Sequence, residues 1–203
     1  SYIFPTDFRW FVPKLLVKEG DPVTVGTPLF CKKRDERVCV VSPVNGTITQ
    51  IVRGEKRVLE VIEIENEATS IPKRCEIPEN LSSSIIQSLM LQNGLWPMLR
   101  QRPFSVIPSP DKKPKSLFIS CFDSSPLAPD FFFLLNNQKE MWQKGVEILK
   151  LLLGEIPIYI GLNSNDNNSI FEETKDVNIR YFSGPHPAGN VGTQIHLVDP
   201  INK

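Results

Sequence analysis

The sequence of 203 residues has no excess of either charge, with 23 Lys+Arg against 23 Asp+Glu. Polyphosphate binding needs a basic footprint, so nucleic acid is not an expected partner. It also has no long hydrophobic run. The longest, such as Phe131–Leu135, and the Leu-rich Leu149–Leu153 with Lys150 inside it, fall far short of the roughly 20 apolar residues of a spanning helix, and no transmembrane segment is expected. The four cysteines, Cys31, Cys39, Cys75 and Cys121, form no CxxC pair and no metal-ligand spacing, which predicts reduced, buried thiols and no metal centre. Proline, by contrast, is plentiful at 18 residues. These prolines lie among apolar stretches and read as rigid turns of a folded protein. With 40% hydrophobic and 23% charged residues, there is ample material for a core, and whole-chain disorder is excluded.

From Phe11 to Glu65, short β-branched runs alternate with turn signals at Gly20-Asp21, Gly26, Ser42-Pro43, Asn45-Gly46 and Arg53-Gly54. Such closely spaced strands predict a compact β-sandwich or barrel, with Asn45-Gly46 as a tight turn. Asn66–Pro78 reads as a linker. A helical pattern follows, with Ile85, Ile86, Leu89 and Met90 on one face and Asn93-Gly94 as its stop. The four prolines of Arg102–Lys115 exclude a helix or central strand there. Beyond Ser116 come a strand at Leu117–Cys121, a helix over Asn137–Leu153 with Met141, Val146, Leu149, Leu152 and Leu153 at helical spacing, then strands at Ile156–Ile160 and Val177–Phe182. That alternation predicts a small parallel-sheet α/β domain. The expected organisation is a β module over 1–68, a linker, helix and Pro-rich connector over 69–115, and a truncated Rossmann-like domain over 116–203.

The stretch Val17–Leu29 (V-x-E-G-D-x-V-x-x-G-x-x-L), followed by Ser42-Pro43-Val44-Asn45-Gly46-Thr47-Ile48, resembles the biotinyl/lipoyl domain family. Gly20 and Gly26 would supply positive-φ turns, and Val17, Val23 and Leu29 would face a barrel-like core. Carriers of this family present a modified lysine at the tip of the intervening hairpin. By spacing, the tip here falls near Asp35-Glu36, with Lys32 and Lys33 toward the rising strand. No covalent cofactor is therefore expected.

In the α/β half, the loops Asp123–Asp130 and Ser183–Thr193 follow strands, where ligands of open α/β sheets bind. The second is Gly-rich but is not GxGxxG, and its prolines remove amide donors that a phosphate would need. His186, His196 and Asp199 match no familiar metal spacing, and Asp123 and Asp130 read as turn caps before they read as an acid–base pair. No catalytic residue is assigned.

Asn93-Gly94-Leu95-Trp96 with Arg102-Pro103-Phe104-Ser105, then Asp123-x-x-Pro126-Leu127-Ala128-x-Asp130, then Gly184-Pro185-His186-Pro187-Ala188-Gly189-x-x-Gly192-Thr193-x-Ile195-His196-x-x-Asp199-Pro200 are similar to the NqrA subunit family of the bacterial sodium-translocating NADH:quinone reductase. Gln194 stands where that pattern carries a histidine. The resemblance implies a central fragment of a peripheral subunit on the cytoplasmic face of the inner membrane, in a complex that couples NADH-to-ubiquinone electron transfer to sodium export. It implies that flavins and the iron–sulfur cluster belong to other subunits, that this chain binds no cofactor of its own, and that the isolated fragment is inactive. Its partners would be the other subunits, membrane-embedded ones especially, and quinone. The family is related to the flavin-binding subunit of respiratory complex I, whose phosphate loop corresponds to Gly94–Arg100. Bulky Trp96, Met98 and Leu99 would fill that cradle. Trp96, Phe104, Phe131, Phe132 and His186 are the candidates for a quinone region or subunit interface; packing of the aromatic residues in the core is the alternative.

Overall fold

A computed structural model describes residues 1–67 and 76–201, so most of the expected linker, with Cys75, lies outside the described residues. The chain divides into two compact units, Ser1–Pro110 and Asp111–Lys203.

The first unit opens with seven strands: β1 (Tyr2–Ile3), β2 (Pro13–Leu15), β3 (Pro22–Val23), β4 (Pro28–Lys32), β5 (Asp35–Val41), β6 (Gly46–Arg53) and β7 (Leu59–Asn66). They form two antiparallel sheets, ordered β1-β7-β6-β3 and β2-β4-β5. The barrel-sandwich architecture is thus the one expected. Val17, Val23, Leu29, Phe30, Val38, Ile48, Ile62 and Ile64 are buried in its core. Burying each such side chain is worth about 1.5–3 kcal/mol. Gly20 and Gly26 have φ of +88° and +91°, the left-handed turns that only glycine takes without a Cβ penalty.

Three expectations for this unit need correction. Asn45-Gly46 is not a hairpin turn, because β5 and β6 belong to different sheets. Gly46 opens β6 where a Cβ would overlap the Glu65 carbonyl, and the Asn45 side chain accepts the Val25 amide at 2.6 Å. Close backbone approach explains this glycine. The hairpin tip is also displaced: Lys32 pairs with Asp35, so the turn is Lys33-Arg34, and Lys33 sits on it. A register shift beyond Cys31 defeats counting by spacing. Finally, Cys31 and Cys39 are not free thiols. The register of β4 and β5 sets them opposite each other, and they form a disulfide. Their separation of eight residues gives no motif, since the pairing arises from the hairpin.

Helix α1 (Ser83–Gln92) starts where the Ser82 hydroxyl accepts the Ile85 amide, and ends at Asn93. Gly94 then turns the chain at φ +68°, with no room for a Cβ against the Val41 side chain of β5. α1 and the following 3-10 turn, Trp96–Met98, pack on β5.

The second unit holds β8 (Leu117–Ser120), α2 (Phe131–Leu135), α3 (Lys139–Leu153), β9 (Ile158–Asn163), α4 (Ser169–Glu172), β10 (Asn178–Phe182) and α5 (Val191–Val198). Its sheet is parallel in the order β10-β9-β8, as the alternation predicts. β9 begins two residues later than expected, after Pro157, and runs on through Gly161 to Asn163. Gly161 is where the sheet meets α5, because a Cβ there would lie 2.7 Å from the Gln194 amide carbon. The inward residue at the start of α3 is Trp142 and not Met141, which is 68% exposed. Trp142 stacks edge-on to Phe171 at 5.1 Å and donates its indole N–H to Thr174 Oγ1 at 2.8 Å.

Candidate functional site

Because β8, β9 and β10 run parallel, their C-terminal ends share one edge, the place where ligands enter open α/β sheets. Here the loops after β8 and β10 are joined directly. The Gly189 amide donates to Ser124 Oγ at 2.8 Å, and Ser124 Oγ lies 3.2 Å from His186 Nδ1. The Ser124 hydroxyl, which both donates and accepts, thus joins the Gly189 amide to the imidazole. Below them, Ser120 Oγ bonds the Gly189 carbonyl at 3.1 Å and accepts from Gln194 Nε2 at 2.9 Å. A Cβ on Gly189 would overlap the Ser124 nitrogen and lie 2.8 Å from Asp123 Cα. In this loop the amides of Ala188, Gly189, Asn190, Gly192 and Thr193 are taken up by Pro185, Ser124, Pro187 and Asn190, so they form no free row for a phosphate.

The carboxylates serve the turns. Asp123 Oδ1 accepts the Ser125 amide and hydroxyl, both at 2.8 Å. These bonds, and then the nearby His186, hold its carboxyl below the usual aspartate range. Asp130 caps α2 through the amides of Phe132 and Phe133 at 2.8 and 3.2 Å. Asp199 is bound by Lys115 and accepts from Ser116 Oγ at 2.9 Å, and these partners lower its pKa as well. Asp199 is thus held at the base of the sheet by residues ahead of β8. Among the described residues, no group of three or more His, Cys, Asp or Glu is placed to hold a metal ion. Gln194 is fully buried and its Oε1 has no hydrogen-bond partner among the described residues. His196, two positions on, is exposed, so positions 194 and 196 face opposite ways. A paired role for them is closed by helix geometry as well as by the glutamine.

The aromatic candidates separate between the units. Trp96 is buried and donates its indole N–H to the Pro108 carbonyl at 3.0 Å. Phe104 is 54% exposed and lies against Trp10, with ring centroids 5.2 Å apart. In the second unit, Phe131 and Phe132 are partly buried against the core cluster of Cys121, Ile160, Leu162, Ile170 and Phe171. Their neighbour Phe133 is the outward member, 79% exposed. His186 is exposed. Burial pushes the Cys121 thiol up to about 12, so it carries no nucleophile at neutral pH.

Sequence reasoning missed Trp10 and the Ser120–Gln194–Gly189 network. Trp10 gave no signal, because it sits in a turn with left-handed φ that nothing in its residue type announces. The network had none, because its members are 69 and 74 positions apart from Ser120.

Comparison with known proteins agrees with this architecture. Residues 2–67 match the NqrA N-terminal barrel-sandwich hybrid domain, and residues 81–203 match the NqrA second alpha/beta domain. The chain is 37% identical over 194 residues to the NqrA subunit of the Na(+)-translocating NADH-quinone reductase of Actinobacillus pleuropneumoniae serotype 5b, covering 93% of this chain and 43% of that protein. The corresponding protein from Haemophilus influenzae strain PittEE is 37% identical over 193 residues, with 93% and 43% covered. That of Glaesserella parasuis serovar 5 is 37% identical over 194, with 94% and 43% covered. The chain therefore spans less than half the length of these relatives. On the match of both domains, in order and over nearly all its residues, the chain belongs to the NqrA family of Na(+)-translocating NADH-quinone reductase subunits.

Proposed function

We propose that this chain works as a peripheral subunit of a sodium-translocating NADH:ubiquinone reductase, on the cytoplasmic face of the bacterial inner membrane. In this reading it contributes to the quinone region and to assembly with membrane-embedded subunits, and carries no flavin or iron–sulfur cluster of its own. Family membership supports the assignment to the complex. The observation that carries the flavin-free role is the Gly189–Ser124 hydrogen bond at 2.8 Å, which ties together the two loops at the strand ends where a nucleotide would bind in such a sheet. No described helix is long and apolar enough to cross a membrane, which agrees with a peripheral position.

Within this proposal, Phe104 and His186 are the accessible candidates for quinone or a partner protein of the complex. Trp96, Phe131 and Phe132 support the surfaces beside them from partly or fully buried positions. The isolated fragment has no turnover. Photo-crosslinking of a reactive quinone in the assembled complex tests the role: label on Phe104 or His186 peptides supports it. Label confined to other subunits makes the chain a scaffold, the reading that the Trp96–Pro108 hydrogen bond favours. Affinity purification of the full-length protein that recovers no other component of the reductase would refute membership of the complex.

A further inference from the structure

Several exposed features of the first unit are neighbours in the fold. Trp10 is 64% exposed although its backbone is left-handed, with φ at 57°. A bulky residue takes that conformation only when its surroundings hold it there, and such strain collects at functional sites. Its indole is held between Phe104, at 5.2 Å, and the Arg9 guanidinium, also at 5.2 Å. Phe104 occupies the turn closed by the Gln101–Val106 bridge, and Ser105 after it is left-handed as well, with φ at 56°. The two rings are thus displayed by backbone devices, not left over from the core.

The hairpin tip adjoins this pair. The carbonyl of exposed Val12 accepts the Lys33 amide at 2.9 Å, and Pro13 pairs with Lys32. Lys32-Lys33-Arg34 therefore stands beside the segment that carries Trp10. The carboxylates that follow are already engaged, Asp35 with Arg37 and Glu36 with Lys14. Between Ser1 and Lys18 the sole acid is Asp7, against Arg9, Lys14 and Lys18. With Lys14 paired to Glu36, the cations left beside Trp10 are Arg9 and those of the tip, Lys32, Lys33 and Arg34. The Cys31–Cys39 disulfide ties the two strands together below the tip.

We propose that this face docks onto an anionic lipid bilayer, with Trp10 and Phe104 at headgroup depth and Lys32, Lys33 and Arg34 on the lipid phosphates. Tryptophan settles at the membrane–water interface because its ring is apolar and its N–H polar. Clustered basic residues are drawn to anionic leaflets over about a Debye length. The two tip lysines favour lipid over a protein partner, since lysine is depleted in protein–protein interfaces and its flexible stem suits a diffuse anionic surface. The proposal stands apart from the quinone reading, because vesicle binding requires neither quinone nor any other protein.

The test is sedimentation of the purified chain with vesicles of mixed phosphatidylglycerol and phosphatidylcholine, against vesicles of phosphatidylcholine alone. Binding is expected to the mixed vesicles, to weaken with salt, and to shift tryptophan emission to the blue. The double variant Lys33→Glu/Arg34→Glu is expected to lower partitioning about tenfold or more. Trp10→Ala should abolish the emission shift, and Lys113→Glu/Lys144→Glu, exposed on the second unit, should leave partitioning unchanged. Circular dichroism verifies the fold of each variant. Equal binding to both vesicle types, no binding to either, or the same loss in the two double variants overturns the proposal; failure to bind would leave the face to a protein partner.

Discussion

Ser124 Oγ accepts the amide of Gly189 at 2.8 Å, across 65 residues of sequence, and so joins the loop after β8 to the loop after β10. Gly189→Ala is expected to destabilise the second unit by about 1–3 kcal/mol, as an overpacked contact does, since the new methyl group would overlap the backbone of Asp123 and Ser124. Ser124→Ala should cost about 1–2 kcal/mol, for the bonds with Gly189 and the exposed His186. Urea unfolding of both variants measures the difference, and a larger loss in Ser124→Ala would contradict the close packing.

The disulfide fixes a thiol count. Of four cysteines, Cys31 and Cys39 are paired, so the unfolded chain without reductant should release two titratable thiols, and four with it. In the folded protein, Cys121 should react with thiol reagents far more slowly than in the unfolded one, because its thiol is held near pKa 12 by burial. Rapid labelling of native Cys121 would show that the β8 end of the core opens freely.

Acid should loosen the second unit through Asp123 and Asp199. Both have pKa values lowered in the folded chain, so the unfolded state binds the proton more readily. Their stabilising effect is then fully present above the ordinary aspartate value of about 3.9 and is lost as pH falls through the lower folded values. Asp123 is exposed and Asp199 half-buried beside an exposed Lys115, so the effect is small and, at Asp123 above all, screened by salt. Asp199→Asn should flatten the fall in unfolding midpoint between neutral and strongly acidic pH; an unchanged slope would remove Asp199 from the explanation.

Lys33 stands on the hairpin turn, yet no attached group is expected. Intact mass after native expression should equal that of the unmodified chain less the two hydrogens of the disulfide. The visible spectrum should lack a flavin band. An added mass on a Lys33 peptide would restore a carrier role, and flavin absorbance would contradict the flavin-free reading.

What the sequence made legible was whatever has a local cause. Val17, Val23 and Leu29 alternate because a strand does, and their burial follows. Gly20 and Gly26 mark turns because few other residues take those angles readily. The three parallel strands were legible from apolar runs separated by a helical period. Hidden features depend on register or on partners distant in sequence. A shift between β4 and β5 moved the tip to Lys33-Arg34 and set Cys31 against Cys39. Trp142, not Met141, turned inward because Phe171 and Thr174 were there to receive it. Among the site candidates, Phe104 and His186 proved accessible, while Trp96, Phe131 and Phe132 occupy packed positions that composition alone does not separate from surface ones.

The pairing of β1 with β7, Tyr2 opposite Glu63, has a consequence for the order in which the chain acquires its structure. The second unit pairs strands that follow one another, so it assembles from neighbouring segments. In the first unit, β1 must wait until β7 exists, some sixty residues later, and loop closure over that span slows its entry into the sheet. On a ribosome, β1 is therefore made before β3, β6 and β7 but is the last strand of that sheet to find a partner. Until then the outer edge of β7 stays open, and the module passes through a stage in which an unpaired strand edge faces its surroundings.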